Sequence, residues 1–229
     1  MRTPSGIFSN AVLGLLMLLT AGAIVLSLET APQVAQEQLQ AAAKNTMAAG
    51  SFVFTDDVSI HEPGPTAQLG GRSEASTSQR VAYQAPDRVE ISSTSASGTS
   101  LLVIGDKRYE KTNGGPWMTL PPLANTGTST GAQEVALLLF PLESLAGATS
   151  VTLRGSKYGF SPGGRSILLG NLFGQLASKL SSIKFSATVS GEFVSTERIA
   201  ATQGRARFLI DFGYLQVGNV PPIVAPPVS

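Results

Sequence analysis

Hydrophobic and polar positions change their period several times along this chain, and each change predicts a different element. Ile7 to Leu28 is a run of 22 uncharged, mainly apolar residues, preceded only by Arg2 and the N-terminal amine. About 20 apolar residues match a hydrocarbon core of ~30 Å. From Gln33 to Ala49 the composition favours a helix, with Leu39, Ala43 and Met47 on one stripe and Gly50 at the stop. At Ser51 the period falls to two. Phe52, Phe54, Val58 and Ile60 alternate with Val53, Thr55, Asp57 and Ser59, as on a half-buried strand. A strand over about Ala67 to Tyr83 follows, then others beginning at Val89, at Leu101, at Lys107 and at Trp117. Turns at Pro86, Gly105-Asp106 and Asn113-Gly114-Gly115-Pro116 separate them. Short strands at such spacing predict a wide antiparallel sheet.

The second half is more helical. Ala132 to Ala146 contains Val135 to Phe140, apolar on every side of a helix, which predicts enclosure by protein. Pro141 should kink or restart that helix. Val151 to Phe160 reads as one strand. Leu169, Leu172, Phe173, Leu176, Leu180 and Ile183 fall at helical spacing, softened by Gly170 and Gly174. Phe185 to Phe193 and Ala206 to Phe212 alternate as strands. The Pro-rich stretch from Val220 to Ser229 cannot join a sheet interior. The pattern divides the chain into a signal anchor or signal peptide (1–28), a linker and first helix (29–50), an α+β domain (51–219) and a tail (220–229).

Flanked by Arg2 before it and by Glu29, Glu37 and Lys44 beyond it, the first segment is expected to leave its N-terminus in the cytoplasm and the domain outside. Ala21-Gly22-Ala23 has the residue sizes of a cleavage site but lies within the apolar run. The expectation is therefore a single-pass cell-membrane protein with an extracytoplasmic domain, the alternative being secretion after cleavage. The chain has no cysteine, which excludes a disulfide framework and an acylated lipobox.

Sixteen Lys and Arg stand against fifteen Asp and Glu, and without Arg2 the remainder is formally neutral. Such a chain lacks the basic field that drives nucleic-acid binding. His61 is the only histidine, beside Pro63-Gly64-Pro65, and reads as a solvated turn residue rather than a general base. Asp56 and Asp57 are adjacent, so in a strand they point to opposite faces and cannot act as a carboxylate pair. Asp56 interrupts the Phe52 to Ile60 stripe; on a cavity wall it would meet a lipid headgroup, and otherwise it marks a bulge. No ligand cluster suggests a metal, and Ser161 to Ser166 lacks the Gly-Lys-Ser/Thr end of a phosphate loop. Neither catalysis nor a cofactor is expected.

Three stretches carry a family resemblance: Tyr83-Gln84-Ala85-Pro86-Asp87-Arg88-Val89, Val103-Ile104-Gly105-Asp106-Lys107-Arg108-Tyr109 and Gly115-Pro116-Trp117. With the ending Asp211-Phe212-Gly213-Tyr214 to Pro221-Pro222, they make the chain similar to the mycobacterial lipid-carrier lipoproteins (the LppX/LprG family) and, more distantly, to the LolA-like carriers. The resemblance spans about residues 33–224. It implies an actinobacterial cell-envelope protein, with the sheet bent into a half-open β-barrel capped by helices. Its apolar hollow would bind acyl chains of lipids or lipoglycans. The missing lipobox cysteine departs from that family and favours local lipid handling over shuttling. Candidate cavity residues are Phe52, Phe54 and Val58 on the first strand, Leu137, Leu138 and Phe140 on the apolar helix, Leu172, Phe173 and Leu176 on the next, and Phe208 and Ile210 on the last strand. The alternative is a tethered extracytoplasmic sensor or protein-interaction domain on the same scaffold, with no lipid.

Overall fold

The computed structural model describes residues 32–62, 73–94, 98–112, 114–121 and 130–227. The apolar run at 7–28 lies outside them. Among the described residues no helix is long and apolar enough to cross a membrane.

Among the described residues, eleven strands form one antiparallel sheet that does not close into a barrel. The first six are β1 (Ser51–Glu62), β2 (Ser73–Gln84), β3 (Arg88–Ser93), β4 (Thr99–Ile104), β5 (Lys107–Thr112) and β6 (Met118–Leu120). They make a meander in chain order. The other five are β7 (Thr149–Arg154), β8 (Lys157–Ser161), β9 (Ser181–Ser190), β10 (Phe193–Gln203) and β11 (Ala206–Val217), a second meander. The two join where β1 pairs with β11, giving the order β6-β5-β4-β3-β2-β1-β11-β10-β9-β8-β7. The expected wide antiparallel sheet is therefore present.

Among the described residues, three α-helices accompany it. Helix α1, over 32–48, turns Ala35, Leu39, Ala42, Ala43 and Thr46 inward at spacings of three and four. Thr46 Oγ1 donates to the Ala42 carbonyl at 2.8 Å and accepts from the Val194 amide at 3.0 Å. Gln40 Nε2 donates to the Ala148 carbonyl at 2.8 Å. These bonds fix α1 against β10 and the end of the next helix. Gly50, at φ +70°, takes the left-handed conformation that stops α1.

Helix α2 (Thr130–Ala146) touches β3, β4 and β5. It buries Val135, Leu142 and Leu145, but Leu137 is 56% exposed. The expectation of a helix enclosed on every side is thus corrected: one flank faces outward. Pro141 lies inside α2 without dividing it.

Helix α3 (Arg165–Phe173) is shorter than its apolar spacing predicts. Gly174, at φ 54° and ψ −129°, ends it, since residues with a Cβ do not settle in that conformation. A 3₁₀ helix follows (Gly174–Lys179), and Ile183 belongs to β9 rather than to a helix. Two other boundaries also differ from expectation. Residues 151–160 form a hairpin, β7 and β8, turned at Gly155 with φ 60°. Residues 185–193 span the β9–β10 turn at Gly191 rather than a single strand.

The main core lies between the helices and one sheet face, where Phe52, Phe54, Val89, Val103, Leu142, Leu145, Leu168 and Ile199 are among the buried residues. A smaller core lies on the other face. There Val220 and Ile223, from the segment after β11, cover Val53, Ala82, Leu102 and Tyr109. Ile223 is held at both ends: its amide donates to Gln84 Oε1 at 3.0 Å, and its carbonyl accepts from Arg88 Nη1 at 2.7 Å. The Pro-rich end thus stays out of the sheet ladder, as its missing amide donors require, yet contributes apolar cover.

Candidate functional site

Period-two alternation assigns residues to faces. On β1 the helix-covered face carries Phe52, Phe54, Asp56, Val58 and Ile60, and their partners on β11 are Val217, Tyr214, Phe212, Ile210 and Phe208. A register shift between Val53 and Phe54 is the one irregularity. The bulge conceivable at Asp56 is therefore absent; Asp56 sits in regular register opposite Phe212.

The two ends of this face differ in packing. At the Phe52 end, aromatic rings fill the space. Phe52 lies 4.9 Å from Tyr83 and 5.9 Å from Tyr214, and Phe54 lies 5.6 Å from Tyr214 and 6.1 Å from Phe212 (ring centroids). Phe52 and Phe54 are fully buried in that cluster and make core rather than cavity wall.

At the other end a hollow of about 310 Å³ opens between β1, β11, α3 and the 3₁₀ helix. Val58, Phe208 and Ile210 form its floor, and Leu172, Phe173 and Leu176 its roof. All six are candidate residues of the sequence reading. Phe173 meets Phe208 edge to face at 6.0 Å. Asp56 and Ile60 mark the two ends along β1, and Asn171 adds one polar roof group. Ile60 is 36% and Leu176 40% exposed, so the hollow opens at their end; at the other end Asp56 is half-buried, with its Oδ1 shielded from solvent. Leu138 and Phe140 pack partly buried against the main core, and neither they nor Leu137 line this hollow.

The Asp56 end is polar and poorly satisfied. The pairing Asp56–Phe212–Glu197 places both carboxyls in one row, on the same face, either side of the Phe212 ring. Glu197 has no exposed surface, and neither of its oxygens has a hydrogen-bond partner among the described residues; nor does Asp56 Oδ1. Burial pushes the Asp56 carboxyl up to about 6, with the neighbouring Asp57 adding to the shift. Burial alone raises Glu197 well above the usual carboxylate range. Tyr214 is raised too, first by burial and then by Glu197 and Asp56, so the three groups share one low-dielectric patch. Asp57 faces the opposite way and is exposed, as alternation predicts. Sequence reasoning passed over Glu197. Its signal was the period of β10, in which Glu197 occupies the inward phase of Ile199 and Ala201.

The opposite face is polar and bears broader grooves. One of about 640 Å³ runs past Ser59, His61, Lys184, Thr202 and Arg207. His61 lies at the end of β1, paired in register with Arg207, rather than in a turn. Nearby, Arg198 clamps Asp211 in a two-pronged ion pair, Nε to Oδ1 at 2.5 Å and Nη2 to Oδ2 at 3.0 Å. That bond holds the Arg198 guanidinium above its ordinary range. Among the described residues, no cluster of three or more His, Cys, Asp or Glu could hold a metal ion. No protein-family model matches this chain, and no curated protein matches it.

Proposed function

We propose that this protein is an extracytoplasmic lipid-binding protein that holds acyl chains against the helix-covered face of its sheet. The observation that carries the reading is the 310 Å³ hollow walled by Val58, Phe208, Ile210, Leu172, Phe173 and Leu176. Ligand sites are concave and mainly apolar with a few polar groups, and this one stands at the small end of their usual volume range. Burying an alkyl chain gains about 0.8 kcal/mol per CH₂, so binding needs no catalytic group. The resemblance to the LppX/LprG lipoproteins supports the same reading, including a sheet bent into a half-open barrel around its ligand. The apolar run at 7–28 would tether the domain at the cell membrane, or be cleaved to release it. No catalytic activity is part of this proposal.

The test is native mass spectrometry of the full chain purified from its host, which should detect co-purified lipid. Leu172→Asp should lose that lipid while circular dichroism and the unfolding midpoint stay near those of the parent. A Leu172→Asp protein that fails to fold would make α3 ordinary core and remove the basis for the hollow. One observation favours the rival reading of a tethered interaction domain: a groove of about 640 Å³ lies beside Lys184 and Arg207. Lipid-free protein that captures a cell-wall component or a protein through those two residues would establish that alternative.

A further inference from the structure

Ligand pockets are mainly apolar, with a small number of placed polar groups. Transferring a charged carboxylate into an apolar interior without a partner is costly, so buried acids are ordinarily paired or hydrogen-bonded. Here one end of the hollow holds Asp56, whose buried Oδ1 has no hydrogen-bond partner among the described residues. One strand beyond Phe212 lies Glu197, wholly buried with both oxygens orphaned. Among the described residues, Asn171 is the one polar group of the roof, Asp56 Oδ1 has no hydrogen-bond partner, and no basic side chain lines the hollow. Three buried carboxyl oxygens therefore lack a donor, one (Asp56 Oδ1) on the wall of the hollow and two (Glu197) beyond Phe212, and apart from Asn171 the other lining residues are apolar.

Resting on the lipid-binding reading, we propose that the ligand is an amphiphile bearing a protonated amine, its ammonium seated at Asp56 with Glu197 behind and its alkyl chain running toward Ile60. Asp56 to Ile60 spans four residues of β1, or about 14 Å at ~3.4 Å per residue, which sets the length of chain the slot covers. An ammonium offers three donors and one positive charge, matching both deficits of this end at once. A carboxylate headgroup would bring a third acid to two that already lack partners. An alcohol would supply a single donor and no charge. The same slot thus ranks headgroups: amine first, alcohol next, carboxylate last.

The experiment uses the full chain with two photoreactive probes, diazirine-bearing analogues of dodecylamine and of dodecanol, with the labelled peptides mapped by mass spectrometry. Both probes should label β1, β11 and α3. Unlabelled dodecylamine should displace the amine probe at a concentration about tenfold or more below that needed for dodecanol or dodecanoate. Asp56→Asn should erase this preference while dodecanol-probe labelling of the same peptides persists, and Glu197→Gln should reduce it. Equal displacement by dodecanol and dodecylamine, or a preference that survives Asp56→Asn, would overturn the amine assignment and leave acyl-chain binding standing. If neither probe labels these peptides, both the headgroup and the acyl-chain reading fall.

Discussion

Asp56 and Glu197 stand on either side of Phe212, in one row across three neighbouring strands, on the face that the helices cover. Both carboxyls are held above their ordinary range, Asp56 to about 6 by burial and the neighbouring Asp57, Glu197 by burial alone. A folded protein that binds a proton more tightly than its unfolded chain loses stability as pH rises through the interval between the two values. For Asp56 that interval runs from 3.8 to about 6. Its contribution should be most favourable below pH 4 and lost by about pH 6. A shift of about two units corresponds to at most ~3 kcal/mol, less where water reaches the group. Denaturant midpoints of the parent and Asp56→Asn at pH 4 and pH 7.5 test this: the variant should gain relative stability at the higher pH. A constant difference would contradict it.

Glu197 is wholly buried, and neither of its oxygens has a hydrogen-bond partner among the described residues. Glu197→Met, similar in shape and apolar, should stabilise the ligand-free protein at pH 7 by about 1–3 kcal/mol. Urea unfolding reads the change directly. Destabilisation would mean that an internal partner holds the carboxyl.

Core and exposed apolar positions should respond differently to truncation. Leu142 and Leu168 have no exposed surface, so replacing either with Ala should cost about 2–5 kcal/mol through lost burial and the void left behind. Leu137, 56% exposed, should tolerate the same change within about 0.5 kcal/mol. Thermal unfolding of the three variants separates them.

The segment after β11 acts as a strap. Ile223→Ala should destabilise by about 1–3 kcal/mol, because Ile223 is 5% exposed and caps the second core, whereas Val224→Ala, 66% exposed, should be silent. Arg88→Ala removes the donor to the Ile223 carbonyl and should loosen the strap, seen as faster hydrogen exchange at the Val53 and Ala82 amides.

Gly163 and Gly147 meet backbone to backbone. A Cβ on Gly163 would lie 2.9 Å from Gly147 Cα and 3.0 Å from its carbonyl oxygen. Gly163→Ala should therefore destabilise by about 1–3 kcal/mol, and it would part the end of α2 from the start of α3. Hydrogen exchange at the Gly163 amide, which donates to the Ser144 carbonyl at 2.9 Å, should accelerate in that variant.

The sheet was legible wherever one face is apolar and the other polar. Phe52 to Ile60 alternate cleanly, and β1 forms where that pattern predicts. The β7–β8 hairpin was not legible, because its tight turn at Gly155 hides within an alternation that continues on both sides. β10 was missed for a different reason: its inward position is a carboxyl, Glu197, where the period demands hydrocarbon. The overlong helix has its own cause. Ile183 falls on the helical spacing of Leu169 to Leu180 by coincidence, while Gly174 ends α3 through a backbone conformation that hydrophobic spacing does not encode. Of the candidate wall residues, those on α3, the 3₁₀ helix and the far end of β1 and β11 meet around one hollow. Phe52 and Phe54 share their face but lie where aromatic rings close it, a distinction set by neighbours on β2 and β11 that are remote in sequence.

The seam between β1 and β11 has a kinetic side. Phe52 pairs with Val217, so the middle of the sheet is zipped between residues 165 apart in sequence (217 − 52). Each meander can assemble from neighbouring hairpins, but the seam waits on the slow encounter of distant segments. Until then β1 offers a bare hydrogen-bonding rim flanked by Phe52 and Phe54, the kind of rim that recruits stray strands. Folding yield at high concentration should therefore depend more on how fast β11 arrives than on the strength of any single contact.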